Sequence, residues 1–494
     1  MPSKQPDYYE ILGVLRSASQ EDIKRAYFEA AQRLHPDKNK APGETEIFLG
    51  IQQAYEVLAN PSRRVKYDAT LPAAEEVHGS VKHEFSFSRR NLVKLGEPQL
   101  IYALLEAEPR EEQSDKIAAP PLNVCLVLDR STSMQGEKMD VVKTAAIQLL
   151  RSLRPQDIFS VVMFSDKAEV LVPAAYQVER NRQESSIQMM QASGATEIFQ
   201  GLEMGLREVR RGLDPSRVNH VILLTDGHTY GDEPACLQLA EEAGAQNIGI
   251  SGIGIGSEWN DIFLDALASR TGGSSAYISK PQDIQRVLID KFKALANIFA
   301  DEVLLEYEPV EGIEMKYAFR LQPEGGPISL EKAVRLGPIL QDVPLHVLFE
   351  FVIQPAALKK ETITLLKGTL KISLSGRPQP TPPIELNLTR DVEAEPASEP
   401  PPTKILRALS RLTLYRLQER ARDEADGGNF DTATRHLKNL ASHLLSQGEG
   451  QLARTALLEA ENLQRMRSWS AEGSKEIKYS TRALLLTDVK EKAR

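Results

Sequence analysis

The sequence predicts a multidomain protein. It combines an all-α helical hairpin at the N-terminus, a doubly wound α/β domain in the middle, a β-sandwich flanking that domain, and a C-terminal helical region. Three observations carry this reading. Apolar residues recur at helical spacing between residues 20 and 58. Short, wholly apolar runs alternate with helical segments between 122 and 298, the pattern of a parallel sheet covered on both faces. Three amphipathic helical patterns follow a proline-rich stretch after residue 392. A chain of 494 residues is also too long for one ordinary core.

Taken in order, the first domain is expected over 1–70, and residues 5–70 read as helices only. Asp7 to Leu12 fits a short helix. Gln20 to Leu34 presents Ile23, Ala26, Tyr27, Ala30 and Leu34 on one face, and Thr45 to Leu58 presents Phe48, Ile51, Ala54, Tyr55 and Leu58. Pro36 ends the first long helix and Asn60-Pro61 stops the second, so the two fold as an antiparallel pair. Within 122–298 the expected strands are Val124–Leu128, Ile158–Phe164, His220–Leu224 and Ile248–Ile255. Helices are expected near 138–153, 197–211, 234–244 and 260–269. Residues 80–118 and 299–391 carry β-formers between Pro and Gly turns, and neither piece is large enough to stand comfortably alone. The expectation is one sandwich built from both, with the α/β domain inserted between its strands. Glu393–Pro402 is acidic and proline-rich, giving a linker over 392–402. Helices are expected over 403–425, 431–447 and 450–467, a helical hairpin region at 403–467. The stretch 468–494 is left as a tail with little pattern.

Composition narrows the function classes. An apolar fraction of 41% and a charged fraction of 26% are those of a soluble globular protein. The net charge of -9 and the lack of a long basic run argue against nucleic acid as a ligand. Two cysteines, Cys125 and Cys236, supply neither a disulfide framework nor a zinc site. No run approaches twenty uncharged apolar residues, so no membrane span is expected, and the start MPSKQPDYYEILGV lacks the apolar core of a signal peptide. The cytoplasm is the expected compartment.

Two motifs carry chemistry. In the first, Pro36 stiffens a loop between helices and leaves His35 and Asp37 as exposed polar groups at its tip. With DYYEILGV at 7–14, HPDKN at 35–39, AYEVL at 54–58 and YDA at 67–69, this region resembles the J domain of Hsp40-type (DnaJ) co-chaperones. The resemblance implies that His35, Pro36 and Asp37 engage a DnaK-type (heat-shock-70) chaperone and stimulate its ATP hydrolysis. It also implies a basic face that steers the acidic partner, here Lys24, Arg25 and Arg33, with Lys38 and Lys40 in the loop. Phe28-Glu29 stands where the family often has two basic residues, a departure that bears on affinity or choice of chaperone. No glycine/phenylalanine-rich segment follows Asp68 and no Cys-x-x-Cys repeat occurs, so partner choice must lie further along the chain.

The second motif is Asp129-x-Ser131-x-Ser133, three oxygen side chains in the turn after an expected strand. Thr196 precedes a helix and Asp226 ends a later strand, and on a parallel sheet both reach the same edge. Magnesium and calcium want oxygen ligands of this kind. The five residues resemble the metal-ion-dependent adhesion site of von Willebrand factor A domains, and residues 122–298 follow that fold order. GIGIGSEWNDIFLDALA at 252–268 is similar to the family's last strand and helix. The resemblance implies Ser131, Ser133 and Thr196 as ligands of Mg2+ (or Ca2+/Mn2+), with Asp129 and Asp226 completing the shell. It further implies an open position for the carboxylate of a protein partner. Beside the site, His228 reads as a loop histidine or a rim residue, and Met134 and Phe199 as core or apolar rim.

No catalytic residues are expected. The chain lacks a Walker A run, a G-x-S-x-G elbow and a His-Glu-x-x-His helix, and glycines 252, 254 and 256 do not satisfy G-x-G-x-x-G. Two functions fit. One is a co-chaperone that brings a DnaK-type chaperone to a client held at the metal site. The other is an assembly scaffold or adhesion-type interaction protein whose J domain is vestigial.

Overall fold

A computed structural model describes residues 8, 12, 20, 23–25, 27, 28, 44–68, 80–110, 119–175, 180–229, 231–330, 333–375, 381–395 and 400–485. The chain divides into two compact units, Met1–Ser80 and Val81–Arg494.

In the first unit, helix α1 spans Glu44–Leu58 and α2 spans Pro61–Asp68. Leu12, Ile23, Ile51, Ala54 and Leu58 are buried together, ringed by Tyr8, Tyr27, Tyr55 and Tyr67. The Tyr27 and Tyr55 rings stack at 4.0 Å, joining the residue 20–28 segment to α1 as the apolar spacing predicts. Asn60-Pro61 does stop α1, but it also starts α2. The Asn60 side chain accepts from the Arg63 amide at 3.2 Å, and proline at the first helical position loses no hydrogen bond.

The second unit opens with strands β1 (Val81–Phe87), β2 (Leu92–Val93) and β3 (Gln99–Pro109). An α/β segment follows: β4 (Leu122–Asp129), α3 (Glu137–Ser152), β5 (Ile158–Phe164), β6 (Ala168–Ala175), α4 (Arg180–Gln188), α5 (Ile198–Arg211), β7 (Val218–Thr225), α6 (Glu233–Ala245), β8 (Ile248–Ile255), α7 (Asp261–Ser269), β9 (Ser275–Ile278) and α8 (Asp283–Ala296). Then come β10 (Ile298–Glu308), β11 (Ile313–Gln322), β12 (Gly326–Pro327), β13 (Val334–Leu340), β14 (Leu345–Ile353), β15 (Thr362–Leu374) and β16 (Ile384–Glu393). The chain closes with α9 (Thr403–Asp426), α10 (Phe430–Ser446), α11 (Gly450–Met466) and α12 (Ala471–Leu484).

Among the described residues the strands form three sheets. The α/β sheet has the order β6-β5-β4-β7-β8-β9 and is parallel except for β6, which runs antiparallel to β5 at one edge. Every residue of β4, β5 and β7 is buried, which is why their sequences are mostly apolar, with polar residues such as Asn123, Ser160 and Asn219 among them. Strand alternation splits them between two cores. Val124, Leu126 and Leu128 face α3 and α8, while Cys125 and Val127 face α5 to α7. Both cysteines are buried free thiols, and burial pushes the Cys125 thiol up to about 12.

The other two sheets, β1-β3-β14-β11-β12 and β13-β10-β15-β16-β2, enclose a common apolar core that includes Leu105, Phe349, Val303 and Leu370. Strand β3 pairs antiparallel with β14, Leu105 opposite Val347, so residues on either side of the α/β segment share one sheet. The opposite face of that sheet is also covered: Leu104, Phe319 and Leu348 pack on Ile405, Leu412 and Tyr415 of α9. Strand β16 runs through Val392 and Glu393, which the sequence reading placed in the linker.

Where the sequence reading left a tail, the structure has a helix. Helix α12 is amphipathic in an unusual sense, because its buried face is cationic: Lys475, Lys478 and Arg482 are each about 5% exposed. Lys475 donates to the Ser257 carbonyl at 2.8 Å, and Lys478 and Arg482 meet the acidic face of α7. Arg422 of α9 donates to both oxygens of Asp261 at 2.6 and 2.9 Å, Lys478 bridges Asp261 and Asp265, and Arg482 forks onto Asp265 and donates to the Tyr415 hydroxyl at 2.9 Å. Burial alone would raise the Asp261 and Asp265 carboxyls; the three cations outweigh it and hold both well below the usual carboxylate range.

A cavity of about 150 Å³ lies where the amino-terminal edge of the α/β sheet meets the sandwich, lined in part by His220, Asn247, Lys291, Leu295, Asp301 and Glu324. Asn247 donates to Asp301 Oδ2 at 2.6 Å, and the buried Oδ1 finds no partner among the described residues. Burial pushes the Asp301 carboxyl up to about 7.

Candidate metal centre

The sequence-predicted metal residues come together at the carboxyl edge of the α/β sheet. Strand β4 pairs with both β5 and β7, Leu128 opposite Leu224, so Asp129 and Asp226 leave adjacent parallel strands side by side. Asp129 is fully buried, while Asp226 and Ser131 are 2% and 3% exposed. After β4 the chain turns at once. The Ser131 amide donates to Asp129 Oδ1 at 2.7 Å, and Thr132–Met134 forms a single 3-10 turn that presents Ser133 to solvent. The serine hydroxyls lie 3.0 Å apart, and Ser133 Oγ donates to Asp226 Oδ1 at 2.7 Å.

Thr196 arrives on a separate loop, pinned to the first. Gly194, in the left-handed region at φ 85°, offers its carbonyl to the Thr132 amide at 3.2 Å, and the Ser193 amide donates to the Arg130 carbonyl at 2.6 Å. The loop then enters α5, whose first amides are held by Thr229 and Asp232: Ile198 N donates to Thr229 Oγ1 at 3.2 Å and Phe199 N to Asp232 Oδ2 at 2.9 Å. Thr196 ends 7% exposed beside Gly227, where a Cβ would stand 3.0 Å from its hydroxyl. A side chain at 227 would press on the loop that brings Thr196 to the cluster.

Two residues that the sequence reading missed complete the site. Thr225, the last residue of β7, donates to Asp129 Oδ2 at 2.7 Å and so fixes the carboxylate plane. Lys138, in the first turn of α3, donates to Asp226 Oδ2 at 2.6 Å. Nothing in the local sequence marks either one, since threonine is an ordinary strand residue and lysine an ordinary helix residue. Burial raises the Asp129 carboxyl, only partly offset by the Thr225 and Ser131 hydrogen bonds, and nearby Asp226 raises it further. His228 is exposed, Met134 is wholly buried in the core, and Phe199 packs partly buried against the other core.

Among the described residues no group of three or more His, Cys, Asp or Glu side chains gathers as a metal cluster. The donor set here is different: two buried carboxylates and three hydroxyls, all oxygen. Two anions held close in a dry setting call for positive charge, and hard oxygen donors suit magnesium, calcium or manganese. The set therefore fits such an ion.

The chaperone-directed residues are less covered. His35, Pro36, Asp37, Arg33 and Lys38 lie outside the described residues, whereas Lys24 and Arg25 are exposed on a helical segment. Phe28 is 54% exposed on the same segment.

Comparison with known proteins accounts for most of this architecture. Residues 7–68 match the profile of the DnaJ domain, 123–290 that of the von Willebrand factor type A domain, and 403–487 that of the Sll0103-like, C-terminal alpha-helical domain. The last match takes in α12. The uncharacterized protein sll0103 of Synechocystis sp. is 27% identical over 331 residues, 65% of this chain and 78% of that protein. DnaJ homolog subfamily B member 12 of Mus musculus is 63% identical over 62 residues, 13% of this chain, and the chain spans only 16% of that relative. A solved von Willebrand factor type A structure from Catenulispora acidiphila superposes with a TM-score of 0.64 at 16% identity. It covers 81% of this chain and 96% of that one, a likeness of fold. No described helix is long and apolar enough to cross a membrane.

Proposed function

We propose that this chain, which carries a DnaJ domain and a von Willebrand factor A domain, is a cytoplasmic co-chaperone. Its J domain recruits a DnaK-type chaperone and stimulates the partner's ATP hydrolysis through His35, Pro36 and Asp37. Lys24, Arg25, Arg33 and Lys38 supply the positive charge that steers the encounter. The α/β domain holds a client or partner protein through a divalent cation, Mg2+ first and Ca2+ or Mn2+ as substitutes. Ser131, Ser133 and Thr196 would be its direct ligands, with Asp129 and Asp226 around them. A bound cation supplies an electrophilic position that a partner's Asp or Glu can complete. The chain itself catalyses nothing: its residues position oxygen atoms and exclude water beneath them.

The observation that supports this reading best is convergence. Asp129, Ser131, Ser133 and Asp226 form one hydrogen-bonded cluster from two strand ends, with Thr196 fastened beside it by a third loop. Each residue alone has a commoner explanation; their meeting at one sheet edge does not. The exposed Phe28, at a position where J domains often carry a base, favours the scaffold reading with an inactive J domain.

Steady-state ATP turnover by the cognate chaperone separates the two. The co-chaperone reading expects stimulation by the intact protein and none by His35→Gln. Equal turnover with both proteins leaves the scaffold. For the metal, partner capture is expected with magnesium and lost with chelator or with Asp129→Ala; capture that survives both rejects the metal site.

A further inference from the structure

Lys138 sits where helix electrostatics disfavour it. The first turn of α3 carries Glu137 and Asp140, acids that complement the positive end of a helix dipole, yet Lys138 lies between them. Its ammonium turns away from both and onto the metal cluster, 2.6 Å from Asp226 Oδ2 and 3.3 Å from the Ser133 carbonyl. The pair is asymmetric: the lysine side chain is 29% exposed and the aspartate side chain wholly buried. Gly136, at φ 83°, turns the chain so that α3 starts directly after the serine loop, and this sets the reach of Lys138. The other cation of the loop points elsewhere, since Arg130 Nη1 donates to Ser193 Oγ at 3.2 Å.

Both oxygens of Asp226 are therefore engaged, one by Ser133 and one by a tethered positive charge. A divalent ion that draws on Asp226 must share it with that charge or displace it. We infer that Lys138 is a built-in competing cation that weakens the site's affinity for a divalent ion and thereby sets the concentration at which the site fills. The protein gains a cluster in which the buried Asp226 carboxylate stays compensated when no ion is bound. It also gains a site whose occupancy is readily reversible. Neutralising the ammonium, by substitution or by acylation of the amine, raises occupancy at a given ion concentration. This inference rests on the metal reading of the site.

The test is calorimetric titration of the full-length protein with magnesium chloride. Lys138→Met and Lys138→Gln remove the charge, Lys138→Arg keeps it, and Asp226→Asn removes the shared carboxylate. Lys138→Met and Lys138→Gln are expected to bind magnesium roughly tenfold more tightly than wild type, a factor worth about 1.4 kcal/mol. Lys138→Arg should stay near wild type and Asp226→Asn should bind far more weakly. The glutamine variant keeps a hydrogen-bond donor for Asp226 and guards against a folding defect in the methionine variant. Unchanged or weaker magnesium binding in both neutral variants overturns the role given to Lys138 and leaves the metal site standing. Absence of saturable binding in wild type and every variant overturns the metal reading as well.

Discussion

Asp301→Asn is the most informative single change outside the Asp129–Asp226 cluster. The wild-type carboxyl is pushed up to about 7 by burial, from a reference of 3.8, because hydrogen bonds from its own backbone and from Asn247 offset the loss of solvent only in part. A carboxyl with a raised folded pKa binds more protons folded than unfolded, so it costs nothing below the unfolded pKa. Its penalty grows as pH rises through the window from about 4 to about 7 and is constant above it. A shift of about three units corresponds to about 4 kcal/mol at the plateau, an upper limit. Asparagine keeps the shape and removes the ionisation. Urea unfolding of both proteins at pH 5 and pH 8, with chelator present, reads the difference as midpoint shifts at constant slope. The variant's advantage over wild type should widen by about 2–3 kcal/mol between the two pH values. A difference that stays the same at both would refute the account of Asp301 as an ionisable group burdened by burial.

Other expectations are simpler. Glu324 behaves oppositely: burial would raise it, but Lys291, Ser274 and Arg320 lower it from 4.5 to about 2, so its stabilising contribution is lost as pH falls through that window, and Glu324→Gln should flatten the acid limb of the stability profile. Lys478→Met leaves Asp261 to Arg422 alone and Asp265 to Arg482 alone and should cost about 1–3 kcal/mol, with protease cutting within 403–485 as the readout; resistance equal to wild type would contradict it. Gly254→Ala places a Cβ 1.9 Å from the Trp259 ring and should destabilise by about 1–3 kcal/mol in thermal unfolding.

What could be read from the sequence follows from where each signal lives. Ile158–Phe164 and Ile248–Ile255 are legible end to end because strands buried on both faces carry no charge, and here only one serine each. Strand β6 went unread: it is an edge strand, half exposed, with Glu169 and Pro173 diluting its pattern. The oxygen cluster was legible because Asp129, Ser131 and Ser133 fall within five residues and the sheet brings Asp226 to them. Thr225 and Lys138 matter only through partners 96 and 88 residues away, which no local pattern carries. Helix α12 failed for the same reason. Its lysines and arginine read as a solvated face until Asp261 and Asp265 appear opposite.

The ion network between α7 and α12 also has a meaning in time. A nascent chain exposes Asp261 and Asp265 to its growing α/β domain long before their counter-charges exist, because Arg482 is added 217 residues after Asp265. Domains otherwise tend to settle in order of synthesis. Here the ion pairs of α7 are completed only once α12 has been synthesised. A fragment cut from the chain at 122–298 keeps both acidic side chains and lacks all three of their counter-charges.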